Sequence, residues 1–491
     1  MFLRNGTRLT VGRVVLLLLP LLPATVLLNL VVTKSSRNDR LMVGISGIRG
    51  IVGSTSGGLT PALVTRYASA FGAFRPRGTI LIGRDTRPSG KTLRDAVLQG
   101  LLESGCEPID LGILPTPTLL LNVKELKAAG GIVITASHNP MEWNGLKFVN
   151  QDGIFIQKEE GKALEELVES NSEMGYPKPV GYRKVQLDEG GIDRHISRIT
   201  SLKLLTIDGL RWKRFKVVVD CCNGAGSIGI PLFLKTLGCD VKEIHCSLQK
   251  SFPRNPEPTR ENLELLSNRV REEGADLGFA VDPDGDRLSV VSEDGVPLGE
   301  ERTLVLVASL ILGKKRGTVV TNLSTTKAVE DVVVKLGGKI SRTPVGEAHV
   351  VAEMIKVKAI LGGEGNGGVI YPEVHLTRDS MAGMALVLQL LLEMENPLST
   401  ISSSLPQYSM VKRVLSYPEQ GMERIIPLIR EKFPHGEVDL QDGFRFSNSD
   451  LWFHIRPSNT EPILRLICEA KTEKEADGLA TTLTEMINKT K

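Results

Sequence analysis

The sequence predicts an α/β protein with three related α/β domains, each built on a mixed sheet, and a smaller C-terminal α+β domain. At 491 residues the chain is too long for a single hydrophobic core. From Leu41 onward, apolar runs alternate with amphipathic helical stretches, which is the pattern of layered α/β domains. The composition, 41% hydrophobic and 24% charged, is that of a globular protein, and the 4% aromatic content indicates aliphatic cores.

A repeated pattern of strand, loop, helix, glycine and strand indicates three related modules. In each module an amphipathic helix ends at a glycine just before a short strand, at Gly105, Gly238 and Gly337. Glycine commonly ends helices because it adopts the left-handed backbone conformation without a steric penalty. The strands that precede the three helices lie at residues 79–85, 216–220 and 318–322.

The pattern changes after about residue 408, where a short linker at 407–410 leads into an α+β segment. This segment is predicted to contain a helix at 419–433 with Pro427 inside it, a hairpin of strands at 443–446 and 451–455, and a final helix at 474–487. The resulting domain boundaries are 41–190, 191–297, 298–408 and 409–491.

Residues 1–40 differ from the rest of the chain. Arginines precede an apolar run at 14–32, as in a signal peptide or a signal anchor. Pro20 and Pro23 weaken this run as a membrane-spanning helix. The alternative is an upstream start codon assigned in error, with Met42 as the true initiator. We favour this alternative because the small-molecule chemistry indicated by the motifs further along the chain belongs in the cytoplasm.

Charge and cysteine content give no indication of a nucleic-acid partner, a disulfide framework or a zinc site. The 60 basic and 57 acidic residues give a net charge of +3, which offers no reason to expect a nucleic-acid partner. The six cysteines form no CxxC pair and most lie in or beside apolar runs. We therefore expect reduced core thiols rather than disulfides or a zinc site.

The first motif with a chemical meaning spans residues 131–140 and reads Gly-Ile-Val-Ile-Thr-Ala-Ser-His-Asn-Pro. A buried strand here gives way to small and polar residues and ends at a proline. Open α/β sheets bind ligands at the carboxyl ends of their strands, and Ser137 lies at such an end. Because a serine hydroxyl is a poor nucleophile, Ser137 needs a base, a metal or a phosphoryl group.

The second motif places Asp282, Asp284 and Asp286 in one turn after a predicted strand. Hard oxygen ligands concentrated in this way suit Mg²⁺ or Ca²⁺. A calcium-binding EF-hand is the competing interpretation, because Glu293 falls at the twelfth position of such a loop. However, Arg287 occupies the sixth position, which requires glycine, and strands are predicted on both sides. A solvated acidic turn is the remaining alternative.

The third motif, residues 361–368, consists largely of glycines, which let the backbone approach a ligand closely. Glu364 and Asn366 are its polar side chains, and a carboxylate with an amide suits sugar hydroxyls. The alternative interpretation is a flexible tight turn.

The fourth motif, residues 456–462, combines charged and polar groups with the backbone amides of a turn. With a nearby arginine it has the composition of a phosphate-binding loop, and a capped turn is the alternative. Its candidate ligands are Arg456, Ser458, Asn459, Thr460 and Arg465.

In this order, the four motifs resemble the α-D-phosphohexomutase family, from about residue 42 to the end of the chain. The segments Ser-Gly-Ile-Arg-Gly at 46–50 and Gly-Arg-Asp-Thr-Arg-Pro-Ser-Gly at 83–90 add to the resemblance. The resemblance implies four domains around a central cleft. It also implies an enzyme that moves a phosphoryl group between C6 and C1 of a hexose phosphate, through a phosphoserine and a bisphosphate intermediate.

The resemblance also implies roles for individual residues. Ser137 would carry the phosphoryl group and would hold Mg²⁺ together with Asp282, Asp284 and Asp286. The implied catalytic neighbours are Arg287 and His138 beside the phosphoserine, with Lys147 and Arg49 at the proton-transfer position. The implied sugar ligands are Glu364 and Asn366, and the implied ligands of the second phosphate are Arg456, Ser458, Asn459, Thr460 and Arg465. A hexose 1,6-bisphosphate would be the activator.

The glycine-rich loop bears on the substrate. This loop usually reads Gly-Glu-x-Ser-Gly-His in the bacterial phosphoglucosamine mutases and the phosphomannomutase/phosphoglucomutases, whereas residues 363–368 read Gly-Glu-Gly-Asn-Gly-Gly. The variant resembles the archaeal-type phosphoglucosamine mutase branch, which implies conversion of glucosamine 6-phosphate to glucosamine 1-phosphate. The missing histidine leaves one acid/base contact open, and His349 is a candidate substitute, although we favour a structural role for it.

Two alternatives to this function stay open. One is a phosphoglucomutase/phosphomannomutase, and the other is a non-catalytic sugar-phosphate-binding protein, against which the intact serine and aspartates argue. The expected partner is a small sugar phosphate bound by a cytoplasmic monomer or homodimer. A membrane would be a partner only if residues 14–32 form an anchor.

Overall fold

A computed structural model describes residues 41–53, 57–75, 77–170, 185–417, 422–457 and 463–489. The apolar run at 14–32, on which the leader and start-codon interpretations depend, lies outside these ranges. Of the helices within them, none has the length and apolar character needed to span a bilayer. All six cysteines fall within the described ranges and are free thiols, as predicted.

The first domain contains a seven-stranded mixed sheet. Its strands are β1 (Met42–Gly44), β2 (Gly47–Ile51), β3 (Thr79–Arg84), β4 (Glu107–Ile113), β5 (Gly130–Ile134), β6 (Trp143–Asn150) and β7 (Gln186–Leu187). Its helices are α1 (Pro61–Ala73), α2 (Gly90–Glu103), α3 (Thr116–Glu125) and α4 (Lys158–Ser170). The strand order is β1-β2-β6-β5-β3-β4-β7, in which β3, β4 and β5 are parallel and β6 is antiparallel to β5.

The second domain contains a four-stranded mixed sheet in the order β11-β10-β8-β9. The strands are β8 (Lys216–Asp220), β9 (Asp240–Ile244), β10 (Leu277–Val281) and β11 (Leu288–Ser292). The helices are α5 (Gly191–Thr200), α6 (Ile207–Lys213), α7 (Gly226–Thr236) and α8 (Glu264–Glu273). Strands rather than EF-hand helices therefore flank the predicted metal loop.

The third domain contains a sheet in the order β13-β12-β14-β15. The strands are β12 (Thr318–Asn322), β13 (Lys339–Thr343), β14 (Leu361–Glu364) and β15 (Gly368–Ile370). The helices are α9 (Glu300–Lys314), α10 (Lys327–Lys335), α11 (Glu347–Val357), α12 (Ser380–Met394) and α13 (Leu398–Ser404).

The three sheets share one arrangement, which confirms the predicted relation between the modules. Two parallel strands joined by a helix are followed by a third parallel strand on the other side of the first, and then by an antiparallel strand. The helices of the repeat end at Gly105, Gly238 and Gly337, whose φ values are +82°, +87° and +73°. The loop between the third and fourth strands carries a predicted functional motif in each domain. The three motifs therefore lie at equivalent positions in the three domains.

The C-terminal domain contains a five-stranded antiparallel sheet in the order β16-β20-β19-β18-β17. The strands are β16 (Ser409–Ser416), β17 (Glu437–Asp439), β18 (Phe444–Ser447), β19 (Trp452–Pro457) and β20 (Ile463–Ala470). The helices are α14 (Met422–Lys432), which contains Pro427, and α15 (Glu473–Lys489). The predicted hairpin is confirmed as β18 and β19. Because β16 begins at Ser409, half of the predicted linker is strand.

Apolar packing joins the second and third domains more closely than the others. A single core of mainly aliphatic buried residues extends from α5 of the second domain to α13 of the third, and one residue of the first domain, Leu121, joins it. The C-terminal domain has its own core around Phe453 and contacts the third domain through polar groups. The second and third domains therefore form a common base to which the C-terminal domain is attached by hydrogen bonds.

His454 is buried in this polar contact and makes it sensitive to acid. Its Nε2–H donates to the carbonyl oxygen of Asp442, while its Nδ1 lies 2.9 Å from Ser324 Oγ in the third domain. Burial lowers the pKa of His454 from its ordinary 6.5 to about 4. Because the unfolded chain binds this proton more readily, stability is lost as the pH falls from 6.5 towards 4.

We expect His454→Gln to remove this acid sensitivity, because glutamine retains polar groups of similar reach but does not titrate. Moving from about pH 7.5 to about pH 5 should cost the wild type about 2 kcal/mol through His454 alone. Thermal unfolding of both proteins at the two pH values measures the difference. Equal losses in wild type and variant would show that His454 does not carry this linkage.

Candidate active site

The serine predicted to carry a phosphoryl group lies in the loop between β5 and β6. β5 is buried along its whole length, and the chain then turns sharply at Ser137, whose φ is +50°. The Ser137 amide donates to Thr135 Oγ1 at 2.9 Å, and the Ser137 hydroxyl donates to Asp282 Oδ2 at 2.9 Å. A left-handed residue with a side chain costs roughly 1–2 kcal/mol, so surrounding contacts must hold this conformation.

Arg87 provides those contacts from inside the first domain. Its Nη2 donates to the carbonyl oxygens of Ser137 and Asn139, each at 2.7 Å, and its Nη1 donates to that of Pro140. Its Nε lies 2.9 Å from Asp85 Oδ2, and neither of these two side chains is exposed to solvent. No role was predicted for Arg87 or Asp85 from the sequence, and the structure makes them positioning residues for the serine loop.

The three aspartates lie together directly after β10. One oxygen of each of Asp282, Asp284 and Asp286 lies within 4.8 Å of the other two, and all three residues are buried. Considering only the described residues, Asp284 Oδ1 and Asp286 Oδ1 have no hydrogen-bond partner. Crowded, buried carboxylate oxygens of this kind suit a hard divalent cation.

Burial has the largest effect on the pKa values of Asp282 and Asp284, and neighbouring charges act together with it or against it. Burial and the neighbouring carboxylates of Asp286 and Asp284 raise the pKa of Asp282 well above its usual range. Burial would also raise the pKa of Asp284, but Lys147 and a hydrogen bond from Thr116 outweigh it and lower that pKa. Lys147 Nζ lies 2.7 Å from Asp284 Oδ2 and 3.6 Å from Asp286 Oδ2. Lys147 therefore contacts the carboxylates of Asp284 and Asp286 and also lines the cleft.

The other predicted catalytic side chains lie near the serine loop and the aspartates. Arg49 Nη1 donates to Asn139 Oδ1 at 3.2 Å, next to the serine loop. Arg287 Nε lies 3.9 Å from Asp282 Oδ2. Burial, with the charges of Arg287 and Arg49, lowers the pKa of His138 well below its ordinary value. His138 is thus a neutral imidazole among cations.

The predicted sugar-binding side chains lie at the end of β14. Glu364 Oε1 accepts hydrogen bonds from Asn322 Nδ2 at 2.8 Å and from the Gly346 amide at 3.1 Å. Its Oε2 accepts from Arg378 Nη1 at 2.9 Å and more weakly from Asn366 Nδ2 at 3.3 Å. Burial would raise the pKa of Glu364, but Arg378 and these hydrogen bonds lower it, so the group is a carboxylate.

The predicted phosphate-binding arginines come from neighbouring strands of the C-terminal domain. Arg456 and Arg465 are Cα partners across β19 and β20, and Arg456 Nε lies 3.2 Å from Asp442 Oδ2. Ser458, Asn459 and Thr460 lie outside the described residues.

One cleft of about 610 Å³ brings side chains from all four domains together. The predicted site residues that line it are Arg49, His138, Lys147, Arg287, Glu364, Asn366, Arg456 and Arg465. Ser137 lines an adjoining cavity, to which Arg49 and Lys147 also contribute. His349 lines the main cleft as well. The geometry therefore places a buried serine and carboxylate cluster beside a cleft rich in cations.

Four segments of the chain match successive domains of one family, described as phosphoglucomutase/phosphomannomutase. The α/β/α domains I, II and III match residues 40–174, 193–295 and 300–408, and the C-terminal domain matches residues 425–486. The chain belongs to this family. It is a phosphohexomutase, an intramolecular phosphotransferase of the isomerase class.

Individual relatives cover almost the whole chain. A probable phosphoglucosamine mutase of Methanopyrus kandleri is 36% identical over 450 residues, which are 91% of this chain and 97% of the relative. A phosphoglucomutase/phosphomannomutase of Thermococcus kodakarensis is 34% identical over 451 residues, covering 89% and 96%. The crystal structure of a phosphoglucomutase/phosphomannomutase family protein from Burkholderia thailandensis has a TM-score of 0.77 at 26% identity, covering 91% and 98%.

Several charged residues in the cleft of this phosphohexomutase were missed by sequence reasoning. Glu301, Glu347, Arg378 and Lys412 all line it. Lys412 Nζ, from β16 of the C-terminal domain, lies 3.4 Å from Glu301 Oε1 at the start of α9. These residues lie outside the glycine-rich and aspartate-rich loops, so no local composition marked them.

Gly368 stands where the usual form of the sugar loop has a histidine, and the side chain of Arg378 fills the space next to it. A Cβ atom at Gly368 would lie 2.2 Å from Arg378 Cδ and 2.8 Å from Arg378 Cγ. Since these are carbons in the middle of an anchored side chain, Arg378 excludes any larger residue at position 368. The cation beside the sugar loop is thus Arg378, which lies just before α12.

Proposed function

We propose that this phosphohexomutase moves phosphate between C6 and C1 of a hexose phosphate through a phosphorylated Ser137 and a bisphosphate intermediate. The observation that carries the proposal is the hydroxyl of Ser137, which lies 2.9 Å from Asp282 beside a cleft lined by Arg49, Lys147 and Arg287. Phosphoryl transfer depends mainly on positioning and charge neutralisation, and this arrangement supplies both.

The residues around the serine fit Mg²⁺, because two buried aspartate oxygens lack a partner within the described ranges. Asp282, Asp284 and Asp286, with Ser137 Oγ, would hold the ion. When bound, the ion would neutralise charge on the transferring phosphoryl group.

The proposed roles of the neighbouring side chains follow from their charge and place. Arg287, and the neutral imidazole of His138, would contact the phosphoserine. Lys147 would hold or release the proton of the sugar hydroxyl, and Arg49 would orient the approaching phosphate. Water must be excluded during transfer, or the phosphoserine would hydrolyse.

Substrate contacts would come from the other two domains. Glu364 and Asn366 would bind sugar hydroxyls, since both line the cleft. Arg456 and Arg465 would bind the phosphate that is not being transferred, together with Ser458, Asn459 and Thr460, which are outside the described ranges. Because the sugar must bind in two orientations, few and nearly symmetric contacts are expected.

The preferred substrate in this proposal is glucosamine 6-phosphate, converted to glucosamine 1-phosphate in the cytoplasm. The name of the Methanopyrus kandleri relative and the Gly-Asn-Gly-Gly form of the sugar loop support it. The name of the Thermococcus kodakarensis relative favours the second candidate, a phosphoglucomutase/phosphomannomutase. The candidates differ in the group at C2 of the sugar.

A comparison of three sugars tests the proposal. The purified chain is assayed with Mg²⁺, a hexose 1,6-bisphosphate activator, and the 6-phosphates of glucosamine, glucose and mannose. We expect kcat/KM for glucosamine 6-phosphate to be at least about tenfold the highest other value, and chelation of the metal to abolish turnover. Equal or lower activity with glucosamine 6-phosphate would favour the second candidate, and no turnover with any sugar would contradict the proposal.

A further inference from the structure

We infer that Arg378 is a positioning residue that couples metal binding to sugar binding. The inference rests on the proposed function, because it takes Asp286 as a metal ligand and Glu364 as a sugar ligand. It adds a third group, contributed by neither loop, that links the two.

Arg378 contacts carboxylates from three separate parts of the chain. Its Nη2 lies 2.6 Å from Asp286 Oδ2 in the second domain. Its Nη1 lies 2.9 Å from Glu364 Oε2, and its Nε lies 3.0 Å from Glu347 Oε2, both in the third domain. A planar guanidinium fixes the directions of its N–H groups, so these carboxylates cannot move independently of one another.

Hydrogen bonds on both sides hold the backbone of Arg378 in place. The Arg378 amide donates to Glu347 Oε1 at 3.0 Å, and Thr377 Oγ1 donates to the same oxygen. Asp379 Oδ2 lies 2.8 Å from His195 Nε2, which belongs to α5 of the second domain. Ser380 Oγ donates at 2.7 Å to the carbonyl oxygen of Gly285, inside the metal loop. The side chain therefore starts from a preorganised segment.

Packing restricts Arg378 further. The absence of a side chain at Gly368 leaves the space that Cγ and Cδ of Arg378 occupy. The residue is only 8% exposed, so its guanidinium cannot exchange these carboxylates for water without leaving the site. Arg378 is thus fixed by shape as well as by charge.

Coupling follows from this shared contact. When a metal fixes the position of Asp286, the rigid contact through Arg378 restricts Glu364 as well, so less conformational freedom is left for Glu364 to lose when a sugar binds. By linkage, the sugar must then increase the affinity for the metal by the same factor. Removing Arg378 should abolish this contribution even where both ligands still bind.

The test measures binding rather than turnover. Mn²⁺ affinity of the dephosphorylated full chain is measured by electron paramagnetic resonance, without and with saturating glucosamine 6-phosphate. We expect the sugar phosphate to tighten Mn²⁺ binding at least about fivefold in the wild type and less than about twofold in Arg378→Met. We also expect kcat of Arg378→Met to fall at least about 100-fold with a smaller change in KM.

Matched variants separate positioning from folding. Arg302 is equally buried, at 8% exposure, and its guanidinium donates to Ser402 and Pro406, away from the metal and sugar loops. Arg302→Met should lower stability but keep both the coupling and kcat. Arg378→Lys keeps the charge but cannot reach three carboxylates at once, so it should also lose coupling, and it replaces Arg378→Met if that variant does not fold.

The measured coupling between Mn²⁺ and sugar-phosphate binding shows whether Arg378 links the two sites. Coupling retained in Arg378→Met or Arg378→Lys would overturn it, and so would a wild type that binds both ligands without coupling. A wild type that binds neither ligand would overturn the proposed function as well, so the two failures are distinguishable.

Discussion

Replacing Ser137 with alanine is expected to lower kcat by at least about 10⁴-fold, because the group that carries the phosphoryl is removed. The substitution should change stability little, since the side chain lost is small and its hydroxyl makes one hydrogen bond among the described residues, to Asp282 Oδ2. The coupled assay with a hexose 1,6-bisphosphate measures the loss. Intact-protein mass spectrometry after incubation with the bisphosphate should find a phosphate on the wild type and none on Ser137→Ala.

Ser289→Ala is the matched control for this substitution. Ser289 is also buried, lies in β11 just beyond the aspartate loop, and its hydroxyl has no hydrogen-bond partner among the described residues. Its loss should leave both kcat and phosphate content unchanged. A Ser137→Ala protein that kept wild-type turnover or still took up phosphate would show that another residue is the carrier.

The three α/β domains could be predicted because their signals are local. Glycines at 105, 238 and 337 end helices in the same place of each module, and the motifs at Ser137 and Asp282 follow buried strands. Local patterns of this kind do not determine strand order. That the motif loops occupy equivalent positions depends on the third strand pairing with the first, which sequence periodicity does not reveal.

The unpredicted part of the site consists of contacts between distant residues. Arg378 is 92 residues from Asp286, and Arg87 is 50 residues from Ser137. Both arginines lie in loops that precede helices, where an arginine is usually solvated, so composition alone gave neither residue a function. The one available signal was position, since Arg87 follows β3, the neighbour of β5, at the same edge of the sheet.

Arg87 offers the second large effect, because its removal leaves buried groups without partners. In Arg87→Met the carboxylate of Asp85 loses its ion-pair partner, and the carbonyl of Ser137 loses its donor. Breaking a buried pair in this way should cost about 3–5 kcal/mol of stability. Because Ser137 has a positive φ that these contacts hold, kcat should also fall at least about 100-fold.

The double variant Asp85→Asn with Arg87→Met separates these two effects. Neutralising Asp85 removes the unpaired buried charge, so thermal unfolding should show much of the lost stability restored. The carbonyl oxygens of the serine loop would still have no donor, so kcat should stay low. Recovery of kcat together with stability would mean that Arg87 only balances the charge of Asp85. If stability recovers but kcat does not, the hydrogen bonds that Arg87 donates to the serine loop set the position of Ser137. Methionine has no N–H groups and cannot replace them.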